Sequence, residues 1–133
     1  SPFVPPVRQM IQSPAALGSD GTLYFGASKK KSVTFWALNP DETVKWQYDH
    51  IVRGKYSNNQ AAVDSGDFVY GAFGKYVFAF DGAGHSAGGS QVLWQIRNRG
   101  SIQSGVMLGG DESLYFGSGK YLIKLVSRDP ASN

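Results

Sequence analysis

The chain repeats itself, and the repeat limits its fold more than any other feature. The segment SPAALGSDGTLYFG at 13–26 returns as QSGVMLGGDESLYFG at 103–117, with Leu-Tyr-Phe-Gly closing each copy. A more diverged copy, NQAAVDSGDFVYG, lies between them at 59–71, and the closing glycines Gly26, Gly71 and Gly117 stand 45 and 46 residues apart. A second marker agrees. Gly74-Lys75-Tyr76 leads into an apolar run, and 45 residues later Gly119-Lys120-Tyr121 leads into another. A period in this range marks stacked supersecondary units, each burying its apolar face only against its neighbours.

Within each unit the β-branched and aromatic runs are too short for helices and are bounded by Gly, Asp, Asn and Ser, so four short strands, A to D, are predicted. In the first unit they cover 14–17, 22–27, 33–38 and 43–48, and in the second 60–63, 67–72, 76–80 and 91–96. The third supplies 105–108, 113–117 and 121–126 and has no strand D before Asn133. The organisation predicted is a Pro-rich tail or linker at 1–12, full units at 13–58 and 59–102, and a partial unit at 103–133.

Four antiparallel strands every 40 to 50 residues is the sequence mark of a β-propeller blade. The string SPAALGSDGTLYFGAS, followed by FWALNPDETVKW at 35–46, resembles the PQQ-type β-propeller repeat over about 12–127. Ala37, Leu38, Asn39, Pro40, Asp41, Thr43, Lys45 and Trp46 sit on its pattern, with Glu42 in place of the usual Gly; Ala79, Phe80, Asp81 and Trp94 follow it more loosely. The resemblance implies that Trp46 and Trp94 pack between adjacent blades. Such repeats serve both quinoprotein dehydrogenases and non-catalytic exported scaffolds, so fold alone does not settle function. An all-β propeller needs about four to eight blades, and about three are present here. The expectation is an incomplete ring, either part of a longer chain or closed by self-association, with a dimer making six blades.

Enzyme motifs find little support. Gly84-His85-Ser86-Ala87-Gly88 matches the nucleophile elbow, but no later His completes a triad. His50 and His85 lack metal-ligand spacing, and Asn39, Asp41 and Thr43 begin a calcium loop that lacks its glycine and terminal Glu. There is no Cys, which excludes thiol chemistry and disulfides. No apolar run is long enough to span a bilayer, and the Ser1 end carries no signal-peptide pattern. No catalytic or metal residue is assigned, and no cofactor is expected; PQQ and calcium enter only if the chain is a fragment or degenerate relative of a quinoprotein dehydrogenase.

Charge is the feature that points to function. The net charge is only +3. In an up-and-down meander the B–C turns and D–A connections emerge at one end of the sheet and the other turns at the opposite end. Sorted this way, Arg8, Lys29, Lys30, Lys31, Arg53, Lys55, Lys75, Arg97, Arg99 and Lys120 share one end with Asp49 as its only acid, and the other nine acids share the opposite end. Asp-Gly and Asn-Pro-Asp turns account for the acids through backbone capping; the cations have no such turn preference. The basic end is therefore expected to engage an anionic partner, an acidic protein surface or a glycan, through Arg53, Lys55, Tyr56, Arg97, Arg99, Lys75 and Lys120. Nucleic acid fits less well, because no recognised binding motif accompanies the cations. Gln12, Gln60 and Gln103 recur on strand A and are expected to line a central channel. The sequence thus reads as a non-enzymatic, extracytoplasmic binding or assembly scaffold.

Overall fold

In the computed structural model, residues 10–11, 14–29, 32–51, 61–84, 92–102 and 104–126 are described. Among them every regular element is a strand. The chain order is β1 (Met10–Ile11), β2 (Ala16–Leu17), β3 (Leu23–Lys29), β4 (Ser32–Leu38), β5 (Val44–Ile51), β6 (Ala62–Val63), β7 (Phe68–Phe73), β8 (Tyr76–Asp81), β9 (Val92–Arg97), β10 (Met107–Leu108), β11 (Leu114–Ser118) and β12 (Tyr121–Leu125). They form three antiparallel meanders: β1 to β5, β6 to β9, and β10 to β12. Strands β1 and β2 lie end to end along β3, so the first sheet is four strands wide, like the second, and the third sheet is three wide. Met10 and Ile11 fall inside the segment read from sequence as a tail or linker, yet they pair with Ser28 and Ala27. Their run, Met-Ile before Gln12, is too short to announce a strand by periodicity.

The register corrects the sequence alignment of the second copy by one residue. Ala16 faces Tyr24, Ala62 faces Tyr70 and Met107 faces Tyr115, so these three tyrosines are equivalent. Gly26 and Gly117 then correspond to Ala72, and Gly71 falls one place earlier. Gly71 has its own reason to be glycine: a Cβ there would come within 3.3 Å of the Phe35 ring of the first sheet. A close sheet-to-sheet approach, not a repeat position, selects it.

A row of side chains crosses each full sheet on one face. It reads Ala16, Tyr24, Ala37, Trp46 in the first and Ala62, Tyr70, Ala79, Trp94 in the second. The alanine is small enough for the Trp to reach over it onto the Tyr two strands away, with ring centroids 5.9 Å apart for Tyr24 and Trp46 and 6.0 Å for Tyr70 and Trp94. Trp46 also packs on Phe80 of the second sheet at 5.5 Å. Its indole N–H donates to the Gly82 carbonyl at 3.0 Å, and the Tyr24 hydroxyl donates to the same oxygen at 3.2 Å. Burial pushes the Tyr24 phenol up to about 12, with Asp20 adding to the effect, which extends its range as a donor into alkaline pH. Gly84, at φ 94°, lies flat against the indole, where a Cβ would approach to 2.4 Å.

Two cores result. Tyr24, Phe35, Trp46, Val69, Phe73, Phe78 and Phe80 fill the space between the first and second sheets. Tyr70, Val77, Ile102, Leu114 and Phe116 fill that between the second and third, with Trp94, Ile123 and Leu125 packed against them. Phe25, Ala27, Trp36 and Leu38 make a separate cluster on the far face of the first sheet.

Trp46→Ala is expected to cost about 3–5 kcal/mol, and Trp46→Phe, which keeps a ring but loses the indole donor, distinctly less. Glu42 sits at φ 70° where the repeat pattern has Gly, so Glu42→Gly is expected to stabilise the fold by about 1 kcal/mol. Urea midpoints of the three variants check both statements.

Candidate functional site

The meanders sort the charges to opposite strand ends. Leu17, Leu23, Leu38 and Val44 lie at one end of the first sheet, and Lys29, Ser32 and Ile51 at the other. At the first end every Asp among the described residues caps its own turn or a neighbour's. Asp20 accepts from Thr22 N–H and Lys45, Asp41 from the Thr43 N–H and hydroxyl, and Asp64 from Gly66 N–H, Phe68 N–H and the Tyr70 hydroxyl. Asp81 accepts from Ala83 N–H, and Asp111 from Ser113 N–H and Lys124. Asp67 reaches across to the first sheet, taking both the N–H and the hydroxyl of Ser19. Gly21, Asp67 and Glu112 occupy the same left-handed position of the three A–B turns, so two acidic residues serve there where one unit uses Gly. The acids are turn chemistry.

The other end is built differently. Connection 98–101 leaves β9 and is held by the Asn98 N–H on Lys75 O at 2.7 Å and the Ile102 N–H on Gly74 O at 2.7 Å. The Asn98 amide donates to Gly100 O and to Ser118 Oγ, both at 2.9 Å. Gly100 lets the backbone press against Ser118, since a Cβ there would come within 2.9 Å of its hydroxyl oxygen. One asparagine thus ties together the β7–β8 turn, the connection and the end of β11. Between the connection and the β11–β12 turn lies an open cleft of about 680 Å³. Arg99 from the connection and Lys120 from the β11–β12 turn both line it, together with Ser101, Ser118, Tyr121 and Ile123. The Lys120 ammonium lies 5.8 Å from the Tyr121 ring centroid. Arg97 and Lys75 are exposed at the same end, Arg97 opposite Tyr76 in the β8–β9 pair.

Of the basic residues named from sequence, the structure therefore brings Arg99 and Lys120 into one cleft and sets Arg97 and Lys75 beside it. Arg53, Lys55 and Tyr56, and also Gln12, Gln60 and Gln103, lie outside the described residues. Lys29 is a strand residue paired with Ser32 rather than a loop cation, because the first sheet's central hairpin runs two residues further on each strand than the others. Trp46 is buried between sheets and Trp94 half-buried on the face toward the third sheet. Asn98 and Ser118 carry no motif and were missed, and Tyr121 belongs to the Gly-Lys-Tyr repeat marker, which assigns it no site role; only their place in or beside the cleft marks them. Among the described residues no three His, Asp or Glu side chains converge as metal ligands.

No family model matches the chain, and no curated protein does. Solved structures do. One is the crystal structure of a protein of unknown function from Bacteroides caccae, with a TM-score of 0.63 and 12% identity, matched over 96% of this chain and 46% of that one. At that identity the likeness speaks for the fold alone, and the chain spans about half the length of the protein it matches.

Acid should loosen the capped end. Thr22 holds the Asp20 carboxyl well below its usual range; Ser19 lowers Asp67, Thr43 lowers Asp41, and Ser113 with Lys124 lowers Asp111. Their folded-state pKa values lie below the ordinary 3.8, so their stabilisation is complete above that pH and is lost as pH falls through the lowered values. Urea midpoints measured from pH 6 to pH 2 should fall at the acid end of the series, and Asp67→Asn should remove part of that fall.

Proposed function

We propose that the chain is a non-catalytic binding or assembly scaffold whose basic end takes an anionic partner, an acidic protein surface or a glycan. The observation that carries this reading is the pair Arg99 and Lys120, set from two different connections into one cleft by Asn98. Two cations lining a common cleft, with hydroxyls and an aromatic ring in the same lining, suit a carboxylate or sulfate better than a solvated rim does. Arg97 and Lys75 extend the positive field and steer encounter. Extracytoplasmic placement is part of the same proposal and rests on the resemblance of the repeats.

The three sheets are read as blades of a PQQ-like propeller. What supports this is the equal registers of the three meanders, the repeated Tyr-Ala-Trp row, and the contact between the inner strands β2 and β6. Closure by further blades, from a second copy or a longer chain, is favoured by Leu122. It is 74% exposed, while its equivalents Phe35 and Val77 are fully buried where another sheet follows. The described aspartates of the acidic end are engaged by turn amides and hydroxyls, which favours the scaffold over a quinoprotein that must hold PQQ and calcium.

The triple variant Arg97→Glu, Arg99→Glu, Lys120→Glu should lose its retention on a sulfated matrix at about 0.1 M salt, with an unchanged far-ultraviolet spectrum. Unchanged retention would sink the proposal. Light scattering should give twice the 14.4 kDa chain mass, and added PQQ with calcium should leave the melting temperature where it was.

A further inference from the structure

In the first two sheets the third strand of the meander carries a fourth. Strand β5 pairs with β4 and β9 with β8, each with a register shift after the alanine that faces the Trp. Their sequences share Val-x-Trp-Gln, Val44 to Gln47 and Val92 to Gln95. Strand β12 is the equivalent of β4 and β8, and among the described strands it pairs with β11 alone. It is correspondingly uncovered: Tyr121 is 63% and Val126 76% exposed. An extended backbone edge of this kind accepts a further strand by main-chain hydrogen bonding.

The direction of such a strand follows from the other two sheets. β9 runs antiparallel to β8 and ends opposite Tyr76, the first residue of β8. A strand added to β12 in the same sense ends opposite Tyr121. Tyr121 lines the same cleft as Arg99 and Lys120. The incoming strand therefore delivers its carboxyl end, not its amino end, to the two cations.

Lys124 sets a second condition. It occupies the place of Ala37 and Ala79 in the cross-strand row. Its ammonium lies 5.7 Å from the Tyr115 ring centroid and 3.2 Å from Asp111 Oδ2, so it covers the tyrosine that a Trp covers in the other sheets. A Trp on an added strand has no ring to reach at this register. The added strand differs in kind from β5 and β9.

We infer that the β12 edge and the Arg99–Lys120 cleft together form a docking site for an extended peptide of another protein, added antiparallel as a fourth strand, with a small or polar residue opposite Lys124 and a carboxylate at its C-terminal end. This deepens the anion-binding reading and rests on it, because the same two cations hold the peptide terminus.

The probe is a fluorescein-labelled peptide of about eight alternating threonines and valines ending in a free glutamate, compared with the same peptide ending in a glutamine amide. The acidic peptide should bind about tenfold tighter by anisotropy. Hydrogen exchange should slow at amides 121–125 when it binds. Arg99→Glu with Lys120→Glu should abolish the preference for the acidic end while the edge still gains protection. Lys124→Ala should raise affinity for a version carrying Trp at the facing position, a gain that an unfolded variant cannot produce. Equal binding of the two peptides, or protection elsewhere than β12, overturns the inference. So does an edge already protected before peptide is added, in a dimer or in a longer form of the chain, which makes a second copy or the chain's own continuation the occupant. If retention on the sulfated matrix persists while the peptide fails to bind, only this inference falls; if both are lost, the anion-binding reading falls with it.

Discussion

Much of this structure depends on one carbonyl. Gly82 O lies in the turn after β8 and receives both the Trp46 indole and the Tyr24 hydroxyl from the neighbouring sheet. The N–H of the same residue donates to Asp67 O at 2.9 Å, so one residue fixes the turn to its own sheet and to the next. Two buried donors are satisfied at one point, which removes the penalty for placing an indole N–H and a phenol inside an aromatic core. The alignment of the first and second sheets follows, including Phe35 stacked on Phe80 at 4.8 Å and Gly71 beneath the Phe35 ring. No side chain fits at Gly82, where a Cβ would lie 2.2 Å from Asp67 O.

Most strands were legible because turn residues punctuate them. Asp, Gly and Asn at the A–B and C–D turns bound the runs so tightly that the observed strands differ from the expected ones by only a few residues at their ends. What escaped the sequence was set by tertiary contact. Met10–Ile11 becomes a strand only because β3 is long enough to pair with it beyond β2. The second copy was aligned on Gly71, since a glycine after an aromatic run looks like the repeat glycine whether it serves the repeat or the packing of a neighbouring ring. The bond from Ser19 to Asp67 joins residues far apart in sequence and leaves no local trace.

The site was partly legible for a related reason. Meander topology alone assigns cations to one end, and that assignment needs no side-chain detail. Which of them meet needs the path of the backbone, and here the path is set by Asn98, whose three hydrogen bonds decide where Arg99 stands relative to Lys120. A lone Asn between two arginines carries no motif. The substitution of Lys124 for an alanine is equally silent in sequence, because only the register makes it the counterpart of Ala37 and Ala79 and sets it over Tyr115.

The opposed strand ends have a consequence for how the molecule meets a surface. With capped carboxylates at one end and Lys75, Arg97, Arg99 and Lys120 at the other, a negatively charged plane exerts a torque on the protein before it exerts a pull. The strands turn to stand upright on the plane, cations down, and the Asp-rich turns are held outward in an even layer. A population of such molecules presents one common exterior, and the face it displays is the one whose chemistry is already satisfied within the fold.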